Sequence, residues 1–389
     1  MQFQPISLYA HIPFCSTLCT YCAFNTYAGM GHLIAPFTEA LSHEMALVGQ
    51  EAAGFRAHTL YLGGGTPSLL SPAQVEQIIL AARRCFDLQE GAEITLEVNP
   101  GSTDLTRLHA YRSAGVNRLS IGVQSADEVE LRLFGRRHSF ADAHETFSLA
   151  RAAGFASISL DLIYGAPLQT RRSWRATLKA VLAWEPDHLS LYSLTLEPGT
   201  SLTRRVARGR LPEPNPDLAA AMYHDAQELA GAAGLQQYEI ANWARPGHES
   251  IHNRQYWLNR PYLGFGPGAH GSANRVRYWN IKPVPAYIER VTGGEPQPFP
   301  FSPALDDYER LDAALEMAET VILGLRLVRE GMSRADFQQR FSQPVEVVYG
   351  PVIDSLQSAG LLEVTDQALR LTNRAYLISN RVFMEFLPG

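Results

Sequence analysis

The chain has 389 residues, 46% apolar and 19% charged, which suits a globular body and excludes intrinsic disorder. Lys plus Arg number 33 against 39 Asp plus Glu, and the net charge of -6 argues against a general nucleic-acid binder, which needs a basic face. No apolar run reaches the ~18 residues of a membrane span, and residues 1–7 lack the basic-then-apolar order of a signal peptide, so a cytoplasmic location is expected.

From the N-terminus, short β-branched runs alternate with helical periodicity. Strands are predicted at 8–12, 59–62, 94–98, 118–121, 157–163 and 188–192, with helices between them at 37–48, 72–85, 105–114, 140–153 and 174–183. Gly115 and Gly154 stand just past two of these helices, where glycine is favoured. Strands separated by helices imply βαβ units and a parallel sheet. Six such units predict an α/β fold, a partial (β/α)6 TIM-like barrel, with an open doubly wound sheet as the alternative.

Between 196 and 300 the pattern loosens. Pro212, Pro214 and Pro216 punctuate a linker, 217–233 reads as a helix, and 238–279 reads as a loop-rich stretch dense in His, Asn, Tyr, Trp and Gly. Gly293-Gly294 with Pro296, Pro298 and Pro300 marks the expected domain boundary, giving a barrel domain over 1–295 and a C-terminal domain over 300–389. The second reads as a long helix at 308–329, shorter helices at 334–341 and 350–358, and a hairpin-like stretch at 361–371. That order resembles a winged helix. In an acidic chain it suits packing or a lid better than DNA.

There are four cysteines, Cys15, Cys19, Cys22 and Cys85. Three of them fall in C-x3-C-x2-C directly after the first predicted strand, at the strand-end mouth where barrel enzymes place their chemistry. So few cysteines make no disulfide framework. Three soft thiolates on one loop fit a [4Fe–4S] cluster with one iron left open. Zinc is the other reading, but no fourth ligand sits at zinc-ribbon spacing. Cys85 falls on an amphipathic helix and reads as core.

Tyr9-Ala-His-Ile-Pro-Phe-Cys15 together with Gly63-Gly64-Gly65-Thr66-Pro67-Ser68 resembles the radical S-adenosylmethionine (SAM) superfamily, and within it the oxygen-independent coproporphyrinogen III oxidase-like family. The resemblance implies a cluster ligated by Cys15, Cys19 and Cys22, whose open iron takes the amino and carboxylate groups of SAM. Reduction there splits SAM into methionine and a 5′-deoxyadenosyl radical. It further implies a SAM site made of Tyr9, Tyr21, Gly64, Gly65, Thr66, Glu97, Gln124, Arg136 and Asp161. Each has a physical reading: glycines admit close backbone approach, Arg136 can pair with a carboxylate, Gln124 offers donor and acceptor, and Glu97 and Asp161 put carboxylates into apolar strands where they need partners.

Two departures separate the chain from the oxidase pattern. Ala23-Phe24 follows Cys22 where the oxidase has a fourth cysteine, and the chain begins a few residues before its first strand, where the oxidase carries an extension. His252-Asn253-Arg254-Gln255-Tyr256-Trp257 matches the H-N-x-x-Y-W pattern of the family's haem chaperone (HemW) branch. That resemblance implies haem as cargo, delivered to apo haem proteins such as membrane respiratory proteins, with no nucleic-acid partner and with a homodimer left open. His252 is the first candidate haem ligand, equally readable as a hydrogen-bonded structural residue; His270 is another. The competing readings are the oxidase reaction itself and another radical-SAM reaction on a tetrapyrrole.

Overall fold

The computed structural model of the protein describes residues 3–388. All six predicted strands form: β1 (Gln4–Ile12), β2 (Phe55–Gly64), β3 (Glu93–Val98), β4 (Arg118–Gln124), β5 (Ser157–Tyr164) and β6 (His188–Ser193). They pair in parallel in that order. Between them run α1 (Ile34–Gln50), α2 (Pro72–Phe86), α3 (Leu105–Ala114), α4 (Glu128–Phe134), α5 (Phe140–Ala152) and α6 (Arg171–Leu182). Capping side chains fix several starts: Ser71, Asp104, Ser139 and Thr170 each accept from a backbone N–H three residues on.

The strands alternate sharply. One face carries Leu8, Ala10, Ile12, Leu60, Leu62, Leu96, Ile121, Leu160 and Leu191, all buried in the main core. The other carries Tyr9, Tyr61, Glu97, Ser120, Asp161 and Ser190, brought side by side by the register Tyr9–Tyr61, Glu97–Ser120 and Asp161–Ser190. Parallel sheets packed on both faces are apolar on both; this one has a polar lumen. Tyr192 is 46% exposed although protein surrounds its phenol, as expected of a group lining a lumen that admits water.

After β6 come α7 (Ser201–Ala207), α8 (Pro216–Ala232), β7 (Gln236–Glu239), β8 (Asn242–Ala244), α9 (Ile251–Trp257), β9 (Tyr262–Phe265), β10 (His270–Ala273), β11 (Val276–Asn280), α10 (Val284–Thr292) and β12 (Leu305–Arg310). The sheet order is β12-β11-β10-β9-β1-β2-β3-β4-β5-β6-β8-β7, so the parallel run is flanked rather than closed: a partial barrel. The stretch at 238–279 is therefore not simply loop. Its strands have three to five residues, too few for alternation to register.

The long helix expected at 308–329 is also corrected. Leu305–Arg310 forms the edge strand β12, paired with β11, and carries the main sheet past the proline-rich stretch at 296–300. Its sequence, Leu-Asp-Asp-Tyr-Glu-Arg, buries almost nothing and so has no apolar period to read. Asp312 then accepts from the Leu315 N–H at 2.8 Å and starts α11 (Ala313–Gly324). The chain ends with β13 (Met332–Ser333), α12 (Arg334–Phe341), α13 (Val345–Ser358), β14 (Leu362–Val364), β15 (Ala368–Leu371) and α14 (Ser379–Met384). Helix α13 starts five residues before its predicted position and is kinked at Tyr349, ahead of Pro351. These elements share a second core that includes Val321, Phe337, Ile353, Leu369 and Phe386.

Glu44 of α1, fully buried, ties the late strands to the barrel. It accepts from the Gly266 N–H (2.8 Å), Asn280 Nδ2 (2.8 Å), the Tyr287 hydroxyl (2.6 Å) and the Ser302 hydroxyl (2.7 Å). Glu44→Ala leaves four buried donors without their acceptor and is expected to lower the unfolding free energy by roughly 3 kcal/mol, read by chemical denaturation.

Candidate functional site

The cysteine loop leaves β1 at the strand-end mouth. Cys15, Cys19 and Cys22 are all half-buried free thiols. Burial pushes the Cys15 and Cys22 thiols above their usual range, and the nearness of Cys19 adds to the rise in both. The loop is held from two sides: the Thr20 N–H and hydroxyl donate to the carbonyls of Phe134 (2.9 Å) and Leu133 (2.7 Å), and the Leu202 N–H donates to the Thr20 carbonyl (2.8 Å). Across the gap, the Thr66 hydroxyl donates to Cys15 Sγ at 3.7 Å. Gly65 has to be glycine here, since a Cβ would stand 2.6 Å from the Phe14 carbonyl and 3.0 Å from Cys15 Sγ. Among the described residues no three His, Cys, Asp or Glu side chains converge as ligands of a single metal ion. In a cubane cluster each thiolate meets a different iron, so its ligands need no common centre.

Beside the thiols lies an unmatched cation. Arg136 donates to Asn99 Oδ1 (2.7 Å) and to the Tyr21 hydroxyl (3.0 Å), both neutral partners, while among the described residues its buried Nε has no partner and no carboxylate pairs with it. Asn99 in turn donates to Thr66 Oγ1 at 3.0 Å, so Cys15, Thr66, Asn99, Arg136 and Tyr21 form one chain of contacts. Gln124 ends β4 with φ +67, a left-handed backbone held at the site, and its side-chain amide lies over Gly122 next to Arg136. A cleft of 390 Å³ opens here, lined by Cys19, Asn99, Gly135 and Arg136 among others.

Deeper in the lumen the imbalance reverses. Glu97 accepts from the Tyr61 hydroxyl (2.9 Å) and the Gly64 N–H (3.0 Å), and burial followed by the Asp161 charge raises its carboxyl to about 7. Asp161 accepts from the Ser120 hydroxyl (3.0 and 2.9 Å) and the Ser159 hydroxyl (3.2 Å), with its pKa also raised by burial. Neither carboxylate has a cation at ion-pair distance among the described residues; the Arg118 guanidinium, which lies 3.9 Å from Glu93, reaches Asp161 only through its charge. Tyr9 stacks on Tyr61 at 6.2 Å and shares a hydrogen bond with His11 Nδ1 (2.9 Å), whose Nε2 meets the Asn25 carbonyl (2.9 Å). The expected SAM-site residues are thus brought to one mouth. Asn99 and Tyr61, which the sequence reading did not select, bind them together.

His252 meets a different arrangement from the expected haem ligand. It is buried on α9 at the lumen floor, with Nδ1 against the Thr59 hydroxyl (2.9 Å) and Nε2 against the Tyr256 hydroxyl (2.8 Å). Burial lowers its pKa to about 3, so the ring is neutral, and both nitrogens are occupied. The backbone N–H groups of Ile251 and His252 donate to Glu93 (3.0 and 2.8 Å). On its other side α9 meets the C-terminal elements: Arg254 pairs with Glu330 at 2.6 Å, and the Arg326 guanidinium lies 4.2 Å over the Trp257 ring.

A parallel partial barrel with three thiols on its first loop is the architecture of the radical SAM superfamily, whose family profile matches residues 9–181. A HemN C-terminal domain profile matches residues 311–378. Within that superfamily the chain belongs to the HemW family. It is 34% identical over 382 residues to heme chaperone HemW of Bacillus subtilis, covering 98% of this chain and 99% of that one. It is 45% identical over 265 residues to a mouse mitochondrial radical SAM domain-containing protein 1, covering 68% of this chain and 60% of that one. Among solved structures, coproporphyrinogen III oxidase (HemN) of Escherichia coli superposes with a TM-score of 0.85 at 27% identity, covering 99% and 91% of the two chains. No described helix is long and apolar enough to cross a membrane.

Proposed function

We propose that the chain binds a [4Fe–4S] cluster through Cys15, Cys19 and Cys22, holds SAM beside it, and carries haem to apo haem proteins. The observation that carries the cofactor reading is the charge imbalance of the lumen. Among the described residues one guanidinium, Arg136, has no carboxylate at ion-pair distance, and two carboxylates, Glu97 and Asp161, have no cation at ion-pair distance, the charges of Arg136 and Arg118 reaching them only from farther off. SAM supplies the complement, a carboxylate for the guanidinium and a sulfonium cation for the carboxylates. When bound, the cluster and SAM together provide one-electron chemistry that ends in a carbon-centred radical. Here Arg136 and Asn99 orient the amino-acid end, Glu97 and Asp161 face the cationic parts, and Tyr9 and Tyr61 wall the cavity.

The haem-carrier reading rests on the end-to-end likeness to proteins named heme chaperone and on the H-N-x-x-Y-W run at 252–257. A second reading, coproporphyrinogen III oxidation, is favoured by the near-complete superposition on HemN. The deciding experiment is an anaerobic incubation of cluster-loaded protein with SAM, reductant and coproporphyrinogen III, run in parallel with haemin titration and transfer to an apo haem protein. We expect haem uptake and transfer without protoporphyrinogen. Protoporphyrinogen above the no-protein control overturns the carrier reading in favour of the oxidase.

A further inference from the structure

We propose that His270 is the side chain that ligates the haem iron, at a seat formed by β10, β11 and the exit of the cysteine loop. This rests on the haem-carrier reading above.

An axial ligand needs an imidazole with a free lone pair that a macrocycle can reach. Of the twelve histidines, His11, His188 and His252 have both ring nitrogens in hydrogen bonds. His58 and His138 each give one nitrogen to a backbone carbonyl. His43, His109, His144 and His224 lie exposed on helices α1, α3, α5 and α8, His32 lies exposed in the single turn before α1, and His248 is half-buried in the loop before α9. His270 is also exposed, with no ring hydrogen bond among the described residues, but unlike the exposed histidines of the helices and turns it stands on a sheet strand against an indole.

Its surroundings match the rest of a haem. His270 lies opposite Trp279 in the β10–β11 register, so both project from one face, with ring centroids 5.8 Å apart and 32° between planes. The indole is a flat apolar surface for a porphyrin. Lys282 follows two residues beyond the strand end. Its backbone carbonyl accepts from Asn25 Nδ2 (3.0 Å) and the Tyr27 hydroxyl (3.1 Å), which sets it beside the cysteine loop, where Phe24 is 72% exposed. Lys282 has no ion pair among the described residues and is available to a propionate. Arg277 stands nearby but is already paired with Glu309 and Glu319. The close approach is built in, because a Cβ on Gly264 would stand in the His270 carbonyl. Desolvation and the charges of Lys282 and Arg277 lower the His270 pKa, which keeps the imidazole neutral and its lone pair free at neutral pH. On binding, a ring nitrogen replaces one water on the iron, and no redox change is required.

The test is haemin titration of the cluster-loaded full chain, followed by Soret absorption and low-temperature EPR. His270→Ala should weaken binding roughly tenfold or more and remove the nitrogen-ligated spectrum. Added imidazole should restore that spectrum, and iron and sulfide content should stay unchanged. Lys282→Glu should weaken haemin binding but leave the dimethyl ester of haemin unaffected. Unchanged affinity and spectrum in His270→Ala, or loss of the spectrum in His252→Gln alone, overturns the assignment while the carrier reading stands. No haem uptake by the unaltered chain overturns the carrier reading itself.

Discussion

Serine at any one of Cys15, Cys19 or Cys22 is expected to bring the iron content of anaerobically reconstituted protein from about four atoms per chain to near zero. Neighbouring side chains are poor substitutes. The nearest histidine in sequence, His11, has both ring nitrogens in hydrogen bonds, to Tyr9 and to the Asn25 carbonyl. The fourth cysteine, Cys85, lies on α2 packed against Gly49, where a Cβ would come within 2.7 Å of the Cys85 Cβ. A hydroxyl in place of a thiolate is a harder and far weaker donor for iron. The loop itself should survive, because Thr20 anchors it to the end of α4 whichever residue stands at 15, 19 or 22. Cys85→Ser is the control and should keep full iron. Iron and sulfide analysis gives the answer, and a full cluster in any of the three variants refutes the ligand set.

The second large effect is on the pH dependence of SAM binding. Glu97 titrates near 7 in the folded chain because burial, then the Asp161 charge, disfavours its ionised form. A cationic ligand binds the ionised form, so below that pH it must first displace a proton. Affinity should fall roughly tenfold between pH 8 and pH 6. The ligand-free protein should respond in the opposite sense. With its carboxyl raised above the unfolded value, Glu97 favours the folded state at low pH and loses that contribution as pH rises from the unfolded pKa toward 7. Glu97→Gln should weaken SAM binding and flatten its pH profile, while raising the stability of the ligand-free chain at pH 8. Equilibrium dialysis at several pH values reads the first effect and denaturation midpoints the second. A profile that stays steep in Glu97→Gln would assign the titration to another group.

Much of this site was legible because its residues sit in contiguous motifs at strand ends. Cys15 to Cys22, Gly64 to Thr66, Glu97 and Arg136 announce themselves by soft ligands, glycines or charges in apolar surroundings. Tyr61 and Asn99 carry no such mark, yet the period-2 rule finds both: Thr59, Tyr61 and Gly63 share one face of β2, and Asn99 follows Glu97 on the face that looks into the lumen. The same alternation would have revealed that the lumen is polar. His252 could not have been judged from sequence, because its fate depends on Thr59, 193 positions away along the chain. The strand at 305–310 stayed hidden for a different reason. An edge strand pairs through its backbone and buries little, so hydrophobic periodicity has nothing to report.

The seven residues of α9 belong to two bodies at once. Toward the barrel they present His252 and Tyr256 to Thr59; toward the other side, Arg254 and Trp257 are gripped by Glu330 and Arg326. Such a helix is a crossbar shared by both, with contacts on each side and no loop between them. Substitutions that break the Arg254–Glu330 or Arg326–Trp257 contact are therefore expected to loosen the seat of His252 against Thr59 in the barrel.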